Sequence, residues 1–489
     1  MTALQDPAQR RRFRVMLVAI MIGQFIGIMN STIITTALPS IFHELGATPV
    51  EGSWTVIATV LGITVTSPIW GRLADRRSPV ALLRVALVIV VVAAVAASLA
   101  PTPLTLILSR GLQGMGLGGV FSLGIIVLAN VTTPRERGRY FGWLSAVQLT
   151  GQLTGPLIGG LFVESVFGWR GCFFVIVPFA LAMLVLLQFA LRVERPAEAD
   201  APRIDWLGAV LLAASVASIL VWLSFAGSLF DFGSWMTALL LGGGLLLLAT
   251  ALVIEWRAPS PVLPLRVLGG RVPLLAAIAC AAVGIACFPA PLFMGMYFQI
   301  GRGLAPTLSG LLLVATAVGS VLAAFLVGSL SSRTGRLRRF LLTGSVVLAV
   351  TCALLAFTNG PGAPLPYLVV LLLLFGIGQG ATLQFVVLAG QNAVGLSQIG
   401  AVSGFMNFIQ LLGGTTVLSI LGAVLDRRLA ELQGEGLTEA QAYALAVPDL
   451  FVVSAACALV AVIAIVLMPR IRLRRTIDVE PGAAEAERR

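Results

Sequence analysis

The sequence predicts an all-α polytopic membrane protein, and three observations carry that reading. The 489 residues are 58% hydrophobic and only 11% charged, with a mean hydropathy of +1.00. A soluble domain carries roughly 25% charged residues and could not cover this much apolar surface. The apolar residues fall in long runs, each near the ~20 residues that a bilayer-spanning helix needs. The basic residues cluster between alternate runs, as they do in cytoplasmic loops.

The runs lie at 14–38, 53–70, 80–99, 104–130, 140–163, 172–192, 206–226, 235–255, 273–297, 307–330, 340–357, 366–392, 401–425 and 449–468. They are too long and too uniform for barrel strands, which would alternate over ~10 residues. Helices satisfy their own backbone in lipid. The first run is too long for a cleaved leader, and no small-residue cleavage site follows it.

Fourteen crossings put both ends on one side, and arginine decides which. No lysine occurs, so all 32 basic residues are arginine. With the N-terminus inside, 27 arginines face the cytoplasm, four (Arg170, Arg302, Arg427 and Arg428) face out, and Arg110 lies within a span. This interleaving also argues against a nucleic-acid partner, despite the net charge of +11. Seven of the eight tryptophans stand near run ends, where interfacial anchoring places them. The five cysteines lie in apolar runs without metal-type spacing and read as packing residues.

One segment echoes another. "GRLADRRSP" at 71–79 follows the second run and "GSLSSRTGR" at 328–336 follows the tenth, so Gly71 and Gly328 are 257 residues apart, as are Arg76 and Arg333. Two six-helix halves with two helices inserted between them give that offset, and repeated halves are a common transporter plan. The resulting division is a tail at 1–13, a bundle at 14–192, a linker with the inserted pair at 193–272, a bundle at 273–468 and a tail at 469–489.

These residues carry a resemblance. "GRLADRRSP", "LSRGLQGMG" at 108–116, "GQLTGPLIGG" at 151–160, "WRGCFFVIVP" at 169–178 and "IDWLGAVLL" at 204–212 resemble, in order, motifs of the major facilitator superfamily, in its fourteen-helix drug:proton antiporter branch. The resemblance implies a secondary transporter of the cell membrane that exports small organic compounds by alternating access. It also implies that Asp75 shuts the cytoplasmic side against an arginine and a helix N-terminus of the other half. Gly71 is expected to form a tight turn there, with Arg76 and Arg333 alongside. The second copy has Ser332 at the acid's offset, so the gate should depend on the first. Gly151, Gly155, Pro156 and Gly159 match the antiporter motif, which in the family faces the contact between halves. Glycines four apart also make a face that admits a neighbouring backbone.

Where the resemblance expects an aspartate in the first helix, this chain has Asn30. Asn30 lies eight residues from the outer end of its run and Arg110 six from the end of its own, about 12 and 9 Å deep at ~1.5 Å per residue. The resemblance implies that the first and fourth helices are neighbours, so Arg110 should face an amide. No acid falls near the middle of a span. The expected cavity residues are Asn30, Arg110, Gln113, Gln148 and Gln152 in the first half and Gln379, Asn407 and Gln410 in the second. Such a net-positive, amide-rich cavity favours neutral, amphipathic or anionic compounds over lipophilic cations.

Proton coupling follows from the branch but is left open by the missing acid. The alternatives are an uncoupled facilitator or carrier of lipid-like metabolites, and a transporter-like sensor that moves nothing. The expected partners are a small molecule, protons and the bilayer, with the chain a monomer. An enzyme, a metal site and a cofactor are not expected: the single histidine, His43, lies near the outer surface without a nucleophile beside it. Residues 430–447 read as a short external helix.

Overall fold

The computed structural model describes residues 7–189, 205–225, 230–231, 233–257, 267–358, 360, 362–469 and 472–474. Regular structure among these is helical. The rods are α1 (Pro7–Leu45), α2 (Pro49–Ala74), α3 (Pro79–Ser98), α4 (Pro103–Val131), α5 (Pro134–Val163), α6 (Gly168–Phe189) and α7 (Trp206–Phe225). They continue as α8 (Trp235–Arg257), α9 (Arg271–Gly301), α10 (Pro306–Thr334), α11 (Leu337–Thr358), α12 (Leu365–Asn392), α13 (Ile399–Gly434) and α14 (Glu439–Leu467).

Twelve helices among the described residues are long and apolar enough to cross a membrane. The other two rods are α5, diluted by arginines, glutamines and glycines, and α7, whose apolar stretch is Leu207–Leu223.

Helix starts are written in the sequence. Thr48-Pro49, Thr102-Pro103 and Thr133-Pro134 each place a capping hydroxyl before a proline in the first turn. Proline has no N–H to lose there, and the threonine accepts from a backbone N–H that the helix leaves free. Two rods are interrupted. α6 breaks at Val175, and α9 breaks before Pro289, which cannot donate to the helical ladder.

α1 starts at Pro7 rather than 14, so Arg10, Arg11, Arg12 and Arg14 belong to a helix. No separate helix fills 430–447. α13 runs to Gly434, Gly436 turns the chain at φ +86°, and the Thr438–Gln441 capping box starts α14. Arg428, in contact with Glu431 and Asp449, ties the two long rods together. Much of the expected linker (193–204, 226–229, 258–266) and of the expected tail lies outside the described residues.

The first six rods pack together, as do the last six, and the two bundles meet through α2 on α13 and α5 on α10. The inserted α7 and α8 pack on each other, and α7 touches α2 and α13. Large apolar side chains such as Leu157, Leu161, Leu246 and Trp256 remain exposed, forming surface for lipid rather than core.

Candidate functional site

The contacts between the bundles gather at one end. Gly71 lies within α2, not in a turn: a side chain there would strike the Gly400 carbonyl oxygen, and one on Gly404 would strike the Ser67 carbonyl. These glycines let α2 and α13 cross backbone to backbone, which corrects the expected role of Gly71. Asp75, just past the end of α2, has a side chain only 4% exposed. It accepts from the backbone N–H of Gly400 (2.8 Å) and of Ala401 (2.9 Å) at the start of α13. The α13 N-cap, Gln398, supplies no side-chain bond, so the other bundle satisfies this helix end. Arg72 lies 3.5 Å from Asp75. Arg76 follows, its pKa lowered by burial and by Arg72 and raised by Asp75.

The second copy works differently. A side chain at Gly328 would strike the Gly138 carbonyl, so α10 and α5 also cross closely. The start of α5 is capped by its own Thr133–Glu136 box and needs no acid from across the interface. Ser332, at the acid's offset, instead offers its carbonyl to Arg135, as does Arg333. The Arg333 side chain itself is exposed.

A third bridge was not visible in the sequence. Arg137, grouped there with loop arginines, is 1% exposed. It donates to Gln391 of α12, to Ala129 O (2.9 Å) and to Thr132 O (3.2 Å). Gln391 passes the link on to Ser403 of α13 at 2.7 Å. Arg474 donates to the carbonyls of Gln391 and Val394, so residues 472–474 lie against the same corner.

The expected Asn30–Arg110 contact is present. Arg110 Nη1 donates to Asn30 Oδ1 (2.8 Å) and Gln113 Oε1 (2.6 Å), and Nε donates to Thr55 O (3.2 Å). The Phe173 ring lies 5.6 Å from the guanidinium carbon. Asn30 and Gln113 are 0% exposed and Arg110 is 1% exposed.

The remaining expected cavity residues do not join them. Gln148 is half-buried and Gln152 exposed on α5, while Gln379, Asn407 and Gln410 are half-buried in the second bundle. Gln410 donates to Leu383 O (3.2 Å) within its own bundle. Gly151, Gly155 and Gly159 face α1, against Ile28, Thr32 and Thr36, rather than the other bundle. Pro156 is exposed, on a different face of α5 from these glycines. Glu255, in the last turn of α8, is 1% exposed, and its carboxylate and that of Asp205 lie close to Gly208. No group of acids, histidines and cysteines among the described residues could hold a metal.

Two helical bundles joined at one end, with a buried charge inside one of them, define a polytopic membrane protein of transporter architecture. The chain belongs to the Major Facilitator Superfamily, whose family model matches residues 20–417. It is 32% identical over 454 residues to an uncharacterized MFS-type transporter of Mycobacterium tuberculosis, Rv1877, covering 91% of this chain and 64% of that protein. It is 25% identical to the multidrug transporter protein MdtP of Bacillus subtilis, covering 85% and 76% of the two chains. The fold matches a crystal structure of a XylE double tryptophan mutant with a TM-score of 0.67 at 13% identity, covering 95% and 98%. The family and these relatives are transporters rather than enzymes.

Proposed function

We propose that the protein is a secondary active transporter that exports small organic compounds by alternating access. It crosses the membrane fourteen times as 6+2+6, with both ends in the cytoplasm. The supporting observation is the one-ended contact between bundles. Asp75, Arg135 and Arg137 all bridge at the end where the arginines concentrate. With that end cytoplasmic, the conformation is outward-facing and Asp75 acts as the inner gate. Each bridge is polar and therefore breakable, as a cycling gate requires. Gln148, Gln152, Gln379, Asn407 and Gln410 line the route between the bundles, and the α5 glycines let α1 and α5 slide as the state changes. MdtP, a multidrug transporter by name, supports small organic compounds as the substrates.

An uncoupled cycle is the second reading. Asn30 favours it, because the amide that faces Arg110 cannot carry a proton through a transport cycle.

The orientation is tested with single cysteines at 335 and 435, in a background whose own five cysteines are removed. In whole cells an impermeant thiol reagent should label 435 and spare 335. Labelling at 335 alone would invert the topology and reassign the closed end to the outside. Uptake of a fluorescent drug into inverted vesicles, with and without a proton gradient, separates coupled export from facilitated flow.

A further inference from the structure

We infer that Asn30, Arg110 and Gln113 form a binding site for a carboxylate group of the transported compound; calling that compound transported rests on the reading above, while the site itself does not.

The cluster's hydrogen bonds are complete on one side and unmade on the other. A guanidinium can only donate, so both carboxamides must turn their oxygens toward it. That leaves Asn30 Nδ2 and Gln113 Nε2 pointing away, and both are buried with no hydrogen-bond partner. The guanidinium has five N–H donors. Its three bonds use Nε and Nη1 only, so the pair on Nη2 enters none of them. What the site lacks is an acceptor.

It also lacks negative charge. Among the described residues Arg110 joins no salt bridge, and its bonded partners are two neutral amides and a backbone carbonyl. A buried charge of this kind is costly unless paired. A purely structural network would be expected to pair its members, since half-satisfied polar groups lose stability. A water could satisfy one N–H but would leave the charge unbalanced. A cation is repelled by the guanidinium. A carboxylate supplies negative charge, an oxygen to accept from the Nη2 pair that the three bonds leave over, and further acceptor capacity for the amide N–H groups.

Asn30, Arg110 and Gln113 are buried in this conformation. Phe173 sits against the guanidinium on the short helical piece Gly168–Phe174. The break at Val175 separates that piece from Ile176–Phe189, and Gly168 begins it with φ +55°.

The experiment is a binding measurement on the full-length protein in nanodiscs, read as ligand-dependent thermal stabilisation. The probes are ibuprofen and salicylate, the neutral amide of each, and tetraphenylphosphonium. At least one acid should bind, its amide at least about tenfold more weakly, and the phosphonium not at all. Arg110→Gln should weaken the acid about thirtyfold or more. If Arg110→Gln does not fold, Gln113→Glu decides: it keeps the volume, supplies an internal carboxylate and should weaken the acid to a similar extent. Failure of both acids to bind would overturn the site. So would amides or phosphonium binding as tightly as the acids, or full acid affinity in either variant. Acid binding without flux in vesicles would keep the site and remove the transport reading. Flux with no acid preference would do the reverse.

Discussion

Arg110→Ala abolishes transport, and Arg110→Lys restores little of it. Removing the guanidinium strips the partners from Asn30 Oδ1 and Gln113 Oε1 and a second donor from Thr55 O, which stays bonded within its helix. Each buried polar group left unpaired costs about 1–3 kcal/mol, so some loss of folded protein accompanies the loss of function. Lysine keeps the charge but has a single nitrogen. It cannot reach a backbone carbonyl on α2 and two amides on α1 and α4 through separate nitrogens, as Nε and Nη1 do. The measurement is efflux per unit of membrane-inserted protein. Wild-type efflux in Arg110→Lys would mean that the charge alone matters and that the bonding pattern is incidental.

Asp75→Asn slows transport without lowering the amount of protein in the membrane. The carboxylate holds two N–H groups of α13 and puts a negative charge at the positive end of that helix. An amide has one oxygen for the same two donors and carries no charge. The lost helix-end interaction is about 0.3–2 kcal/mol. Charge-assisted hydrogen bonds contribute about 1.5–3 kcal/mol each, of which the amide keeps part. A change of about 1.4 kcal/mol already moves the equilibrium between open and closed gate tenfold. Crosslinking between cysteines placed across the α2–α13 contact reads that equilibrium directly. Unchanged crosslinking with unchanged efflux would return Asp75 to an ordinary capping residue. Ser332→Asp is not expected to compensate, because α5 caps its own start.

What the sequence made legible follows the physics of each signal. Asn30 and Arg110 could be set at similar depth by counting residues from run ends, because helical rise is constant, and the family resemblance made their two helices neighbours. The Thr-Pro starts were equally readable as local chemistry. Arg137 was not. In sequence it is one of several arginines between two runs, and only packing across the bundles reveals that it is buried against Gln391. Gly71 was found, but its reason was not. A glycine before a charged loop suggests a turn, whereas the requirement here comes from the α13 backbone more than 300 residues away. The α5 glycines carry the same lesson, since spacing defines a smooth face but not the helix that meets it. The long α13–α14 hairpin was read as three pieces because its charged residues resemble a loop until Arg428, Glu431 and Asp449 are seen together.

The central claim is that Arg110 is held by amides so that its charge stays available to a ligand. Asn30→Asp tests it with almost no change in shape. An ionised carboxylate at that position would occupy the guanidinium from within and compete with the native substrate. Its protonation would add a pH-sensitive step that the wild-type contact lacks. The measurement is uptake into inverted membrane vesicles at several pH values, for wild type and Asn30→Asp side by side, using acidic and cationic compounds. The account predicts that the variant loses transport of acids, gains pH dependence and moves cations better than wild type does. The same rates, substrate range and pH profile in both proteins would contradict it, leaving Asn30 a packing amide and Arg110 a structural charge.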